Sequence, residues 1–182
     1  VFDAVRAIYA AHGVKNGMIS LGGSSLYALG KNEHGDDWRI GIRAPRGETA
    51  QDYLGILPIS DAALSSSGDY ERYFEQDGQR YHHILDPRTG APASSGLYGV
   101  TVILRGDHAG MMSDLLTTAL FVLGEEKGRA LLKAAGLPAT VLFISPDTTA
   151  AYRLGEALPA GGASLRNLLQ KQAGNVRWED GE

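Results

Sequence analysis

Between residues 73 and 84 the chain reads YFEQDGQRYHHI, and Asp77-Gly78 leaves this stretch one local solution. An Asp-Gly pair accepts positive φ at both central turn positions, which matches the twist of two flanking strands and predicts a tight antiparallel hairpin. Around it the periodicity predicts more strands than helices. GMISL (17–21) is a short strand running into Gly22-Gly23. WRIGIRA (38–44) alternates Trp38, Ile40 and Ile42 against Arg39, Gly41 and Arg43, as a strand with one wet face does. YLGILPIS (53–60) predicts a strand that Pro58 keeps near an edge, and ALSSSG (63–68) reads equally as strand or loop. LYGVTVILR (97–105) and ATVLFIS (139–145) predict buried strands, and Asp147 opens a turn before AAYRL (150–154).

Helical spacing appears at the ends of this strand series. Phe2, Val5, Ile8 and Tyr9 share a face that Gly13 stops, and Asp107 is placed to cap a helix reaching Leu123, ended by Gly124. A further helix is predicted over about 125–135 and a last one over 164–172. Strands and helices do not alternate as βαβ units, so the class is α+β with a mixed or antiparallel sheet packed with helices. No linker or repeat interrupts residues 1–182, which predicts a single domain. A chain of 182 residues with 43% apolar and 21% charged residues can bury a core and is not compositionally disordered. Its net charge of −4 argues against a nucleic-acid partner. No apolar run approaches the ~20 residues that span a bilayer. Without cysteine, thiolate chemistry and disulfides are excluded. The chain opens at Val1 inside a helical pattern, from which a further upstream segment is expected.

Several groupings have chemical potential. On the helix after Asp107, Met112, Leu115, Leu116, Ala119, Leu120 and Leu123 predict one apolar stripe, with Asp114, Thr117 and Thr118 opposite. Asp114 and Thr118 are four residues apart and share a face. Their oxygens suit a hard cation such as Mg2+, but a solvated carboxylate with threonines bonded back to the helix explains the same spacing. Gly22-Gly23 can bring backbone amides close to a flat ring or a phosphate, or can simply turn the chain. His82 and His83 point to opposite sides of a strand, so regular geometry cannot give one metal both imidazoles. One of them at a strand end is a candidate acid, base or phosphate donor. In the following DPRTG, Asp86 caps, Pro87 fixes φ and Thr89-Gly90 closes a turn. No Gly-x-Ser-x-Gly elbow surrounds the serines of SSSG (65–68), so a hydrolase triad is not expected.

Taken in order, KNGMISLGGSSLYALG (15–30), DDWRIGIRAP (36–45), ALSSSGDYERYFEQDGQRYHHILDPRTGAPA (63–93), GVTVI (99–103) and SDLLTTALFVLG (113–124) resemble the C-terminal portion of the ApbE-type FAD:protein FMN transferases. The HxxDPxTGxP segment and the Asp-x-x-x-Thr helix carry the resemblance most specifically. It implies an ApbE-like, T-fold-like architecture that is incomplete at the N-terminus. It implies an enzyme that takes FAD with Mg2+, passes FMN to a threonine or serine hydroxyl of a target protein and releases AMP. The implied acceptors are flavin-carrying subunits of quinone reductase or Rnf-type complexes, and the implied location is extracytoplasmic or periplasmic. Residue by residue, the resemblance puts Asp114, Thr117 and Thr118 at the metal and His83 at the chemistry. It puts Gly22, Gly23, Ser67, Gly68, His83 and the Leu85 backbone at the flavin nucleotide. Ser24 departs from the family's usual Asn or Asp, and the family's first half, with a further metal ligand, has no counterpart here. Two alternatives accompany it: FAD hydrolysis to FMN and AMP, and a non-catalytic remnant that binds flavin or a partner.

Overall fold

A computed structural model describes residues 1–49, 51–155 and 176–181. The predicted helix at 164–172 and whatever surrounds it lie outside the described residues. The described chain runs α1 (Phe2–Ala11), β1 (Gly17–Leu21), β2 (Ser25–Leu29), β3 (Trp38–Arg43), β4 (Tyr53–Ile59), β5 (Ala62–Gly68), β6 (Tyr73–Gln76) and β7 (Gln79–His82). It continues with β8 (Gly99–Leu104), α2 (Ala109–Ala135), β9 (Ala139–Ile144), β10 (Thr149–Leu154) and β11 (Val176–Gly181).

Seven strands form one sheet in the order β1-β2-β5-β8-β9-β10-β11. Every pair is antiparallel except β10–β11, which is parallel, so the sheet is mixed and the class α+β. α2 covers one face together with α1, and the separate β3–β4 ribbon covers the other. Covered on both sides, β8 and β9 are buried at every residue, which explains the continuous apolar runs GVTVIL and ATVLFI. Each fully buried Val, Ile, Leu or Phe there contributes on the order of 1.5–3 kcal/mol. The β3–β4 ribbon shows the opposite pattern. Ile40 and Ile42 point inward and Arg39, Gly41 and Arg43 outward, as the alternation predicts.

Three expectations need correction. β2 and β11 have no counterpart in the strands read from the sequence. β2 is the return limb of a hairpin turned at Gly22-Gly23, whose φ values of 65° and 81° any side chain would strain. The two helices predicted on either side of Gly124 form one element, broken where Gly124 takes φ 78° and ψ 175°. Asp107 does not cap it. His108 occupies that position in a left-handed conformation, and its Nδ1 lies 2.9 Å from Asp3 Oδ2, tying α1 to the start of α2.

The apolar stripe on α2 is also rotated from its predicted place. Leu115 is 58% exposed, whereas Ser113, Leu116, Thr117, Leu120 and Phe121 are buried. The reason is the partner surface: β5 turns Ser65 and Ser67 toward α2, and hydroxyls on the helix satisfy them better than leucine would. Likewise Ile8 of α1 is exposed and Phe2 is the residue that α1 buries.

Candidate functional site

Where β1 turns into β2, β5 ends and the β6–β7 hairpin begins, the chain leaves a cleft of about 560 Å³. Its floor holds Gly22, Gly23, Ser67 and Gly68, one side presents Asp114 and Thr118, and the opposite rim holds Arg72 and His83. These include most of the residues singled out from the sequence. Two others lie elsewhere. Thr117 is fully buried against β5, and Leu85, 52% exposed, bridges to Pro92 and does not line the cleft.

The α2 side is set by a directed chain of hydroxyls. Thr117 donates to the Asp114 carbonyl oxygen at 2.8 Å, so Ser67 must donate to Thr117 Oγ1, also at 2.8 Å. Ser67 has then spent its one proton, and Thr118, 3.2 Å away, is the donor to Ser67. That direction leaves both lone pairs of Thr118 Oγ1 free for a ligand. Ser25 donates to Asp114 Oδ1 at 2.7 Å, which steadies the carboxylate and leaves Oδ2 open. Deeper in the seam Ser113 donates to the Gly110 carbonyl at 3.1 Å, so Ser65 is the donor in the buried 2.8 Å Ser65–Ser113 bond. One carboxylate oxygen and one threonine oxygen fit a hard cation that completes its shell with water or phosphate oxygens. Among the described residues no three His, Cys, Asp or Glu side chains cluster as a protein-only metal cage would require.

On the other rim the histidine pair is separated as strand alternation requires. His82 points into the core, with Nε2 3.1 Å from the Ala93 carbonyl and its ring edge-on to Phe121 at 5.4 Å. His83 is exposed at the cleft, and the Arg72 carbonyl accepts from both its backbone N–H (3.1 Å) and its Nδ1 (3.2 Å). A carbonyl can only accept, so in the neutral ring the proton sits on Nδ1 and Nε2 keeps its lone pair. That is the form of a general base.

The segment carrying Arg72 is fastened from two directions. Arg46 grips the buried Asp69 carboxylate through two bonds of 2.8 and 2.6 Å, with Arg80 3.8 Å away and the Arg46 guanidinium 3.6 Å over the Tyr98 ring. Tyr70 lies across the backbone of Gly68. A Cβ there would run into its ring, and one on Gly99 would come within 3.3 Å. Burial pushes the Tyr70 hydroxyl up to about 12, so it stays protonated at neutral pH. The DPRTG turn is self-contained. The Asp86 carboxylate takes bonds from the Arg88 backbone and guanidinium, and the Asp86 carbonyl accepts from Thr89 and Gly90. The Arg88 bonds hold the Asp86 carboxyl down at about 2.

Three contributors were not singled out from the sequence: Ser25, Arg72 and Tyr70. Ser25 was findable, because a return strand after Gly22-Gly23 that pairs with β5 puts it opposite Ser65 on the face that meets α2. The Arg72 carbonyl leaves no mark in a side-chain pattern.

A mixed sheet here gathers an oxygen pair, a glycine turn and an oriented imidazole in one cleft, a set of groups chemically suited to a phosphate ester. The ApbE family model matches residues 1–141, and the chain belongs to the ApbE family. It is 38% identical over 145 residues to the FAD:protein FMN transferase of Vibrio cholerae, covering 80% of this chain and 42% of that protein. The Treponema pallidum protein of the same name is 40% identical over 156 residues, covering 80% and 41%. Among solved structures, the ApbE protein of Thermotoga maritima superposes with a TM-score of 0.66 at 33% identity, covering 91% of this chain and 49% of its own. The flavin transferase ApbE of V. cholerae gives 0.64 at 34% identity, covering 85% and 47%. The chain thus spans less than half the length of the relatives it matches.

Proposed function

We propose that this chain forms part of a FAD:protein FMN transferase, an enzyme that moves FMN from FAD to a hydroxyl of a target protein. The observation that carries the reading is a convergence in one cleft. Asp114 Oδ2 and Thr118 Oγ1 have free lone pairs on one side, and His83, with its proton held on Nδ1, stands on the other. Asp114 and Thr118 would hold Mg2+, which supplies charge neutralisation on the pyrophosphate. His83 Nε2 takes the proton of an acceptor threonine or serine hydroxyl as its oxygen bonds to the FMN-side phosphorus. The phosphorus–oxygen bond to AMP breaks and AMP leaves with the electron pair. Gly22-Gly23 let the backbone approach the flavin nucleotide, Gly68 makes room for the Tyr70 ring at the cleft, and Ser67 sets the Thr118 hydroxyl rather than attacking. Thr117 supports this set from behind, through its bond to the Asp114 carbonyl.

Acceptors of the quinone reductase or Rnf type and an extracytoplasmic place of action belong to the same reading and rest on family resemblance. Among the described residues no helix is long and apolar enough to cross a membrane. The test mixes the protein with FAD, Mg2+ and a threonine-bearing acceptor and follows flavin fluorescence on the denatured acceptor. His83→Gln should slow labelling by about 100-fold or more. Asp114→Ala should weaken the response to Mg2+ by at least roughly 10–100-fold. An acceptor that stays dark, with Asp114→Ala behaving like wild type, defeats the assignment. FMN and AMP released without labelling would mean that water is the acceptor.

A further inference from the structure

The cleft is lined by two arginines, and they are differently placed. Arg43 is engaged, with Nη1 3.2 Å from Glu71 Oε1 and its guanidinium 5.5 Å from the centre of the Tyr70 ring. Arg72 is exposed, and its guanidinium makes no ion pair or hydrogen bond among the described residues. Asp69, Glu71 and Glu75, close to it in sequence, do not remedy this, because each is already taken by another arginine. Asp69 is held by Arg46 and Arg80, Glu71 by Arg43, and Glu75 by Arg80. The Arg72 backbone is nevertheless fixed, since its carbonyl carries both bonds from His83. A cation without a partner has therefore been tethered next to the group placed to handle the proton.

We infer that the Arg72 guanidinium binds a phosphate oxygen of the pyrophosphate-bearing substrate. The inference rests on the phosphoryl-transfer reading above and adds a binding residue to it. Charge supports it. A pyrophosphate diester carries two negative charges, and a divalent cation at Asp114 and Thr118 would offset them, but the Asp114 carboxylate restores one. Arg72 supplies the positive charge that remains to be matched. Its planar fork of N–H donors suits two phosphate oxygens at once, which a lysine cannot reproduce.

The experiment titrates inorganic pyrophosphate with Mg2+ into the wild-type protein and its variants, read by calorimetry. Arg72→Ala should raise the dissociation constant about 10-fold, and Arg72→Lys should fall between the two, keeping charge but losing the fork. Arg72→Ala should also flatten the salt dependence of binding. Arg39→Ala is the control: it removes the same charge from an exposed position of β3 outside the cleft and should leave the constant unchanged. Equal affinities for Arg72→Ala and wild type overturn the inference, and so does a wild-type protein that binds no pyrophosphate. The two readings fail separately. Normal acceptor labelling by Arg72→Ala at unchanged KM for FAD would remove Arg72 and leave the transferase standing. Arg72-dependent pyrophosphate binding without acceptor labelling would do the reverse.

Discussion

The two walls of the cleft are built in opposite ways. The α2 wall belongs to the core: Ser113, Leu116, Thr117 and Leu120 are buried, and hydroxyl bonds tie the helix to β2 and β5. The hairpin wall belongs to the surface. β6 is exposed at all four residues, and among the described residues β6–β7 pairs with no other strand. Asp114 and Thr118 are thus exposed side chains on a helix whose other face is packed, and His83 sits on a limb held by a backbone carbonyl and the Asp69 ion pairs. A cation site needs oxygens fixed in advance, whereas a group that must meet an incoming protein hydroxyl is better placed on an accessible rim.

Mutations can break or sharpen this contrast. The largest effect should come from Leu120→Ala in α2, which leaves a cavity against β8 and β9 and costs about 2–5 kcal/mol in chemical denaturation. Ser113→Ala comes next, because it strands the buried Ser65 hydroxyl; about 1–3 kcal/mol is expected. In the same denaturation series the double variant Ser65→Ala, Ser113→Ala should cost less than the sum of the singles. If the two single costs simply add, the hydroxyl seam does not set α2. On the hairpin wall, Phe74→Ala removes a stacked cross-strand pair with Tyr81 (centroids 5.0 Å apart) and should cost only about 0.2–1 kcal/mol.

The smallest effect concerns the pair that the buried Asp86 carboxylate makes with the exposed Arg88. The folded Asp86 carboxyl is held at about 2, below its ordinary 3.8, so its contribution is fully present above the unfolded value. It is lost as pH falls from about 4 toward 2. Asp86→Asn should flatten stability across that window, and a profile identical to wild type would show that solvent screens the pair completely.

Much of this architecture can be read from residues alone where one local rule dominates. Asp77-Gly78 announced its hairpin, and both residues do take positive φ, 52° and 74°. Period-two alternation placed Ile40 and Ile42 inside and put His82 and His83 on opposite sides. What escaped depends on a partner surface. The face of α2 could not be read from its leucines, because the serines of β5 drew Ser113 and Thr117 inward and left Leu115 in water. β2, SLYAL, buries Ser25, Tyr27 and Ala28 with no clean alternation of apolar and polar residues to mark it, and Ser25 was hidden with it. At the site the Asp114–Thr118 pair was visible as an i, i+4 spacing. The direction of its hydrogen bonds, which frees Thr118 while Thr117 stays buried, follows only from proton accounting between β5 and α2.

A ladder that shares no strand with the main sheet can also come apart alone. With β6 exposed and β8 buried throughout, amides along the β6–β7 hairpin should exchange with deuterium far sooner than those of β8. Arg72 and His83 flank that hairpin, so an opening that reaches its base frees the imidazole from the carbonyl that sets its tautomer. The fraction of molecules in which His83 holds its proton on Nδ1 would then follow the closure of one small hairpin, with the core unmoved.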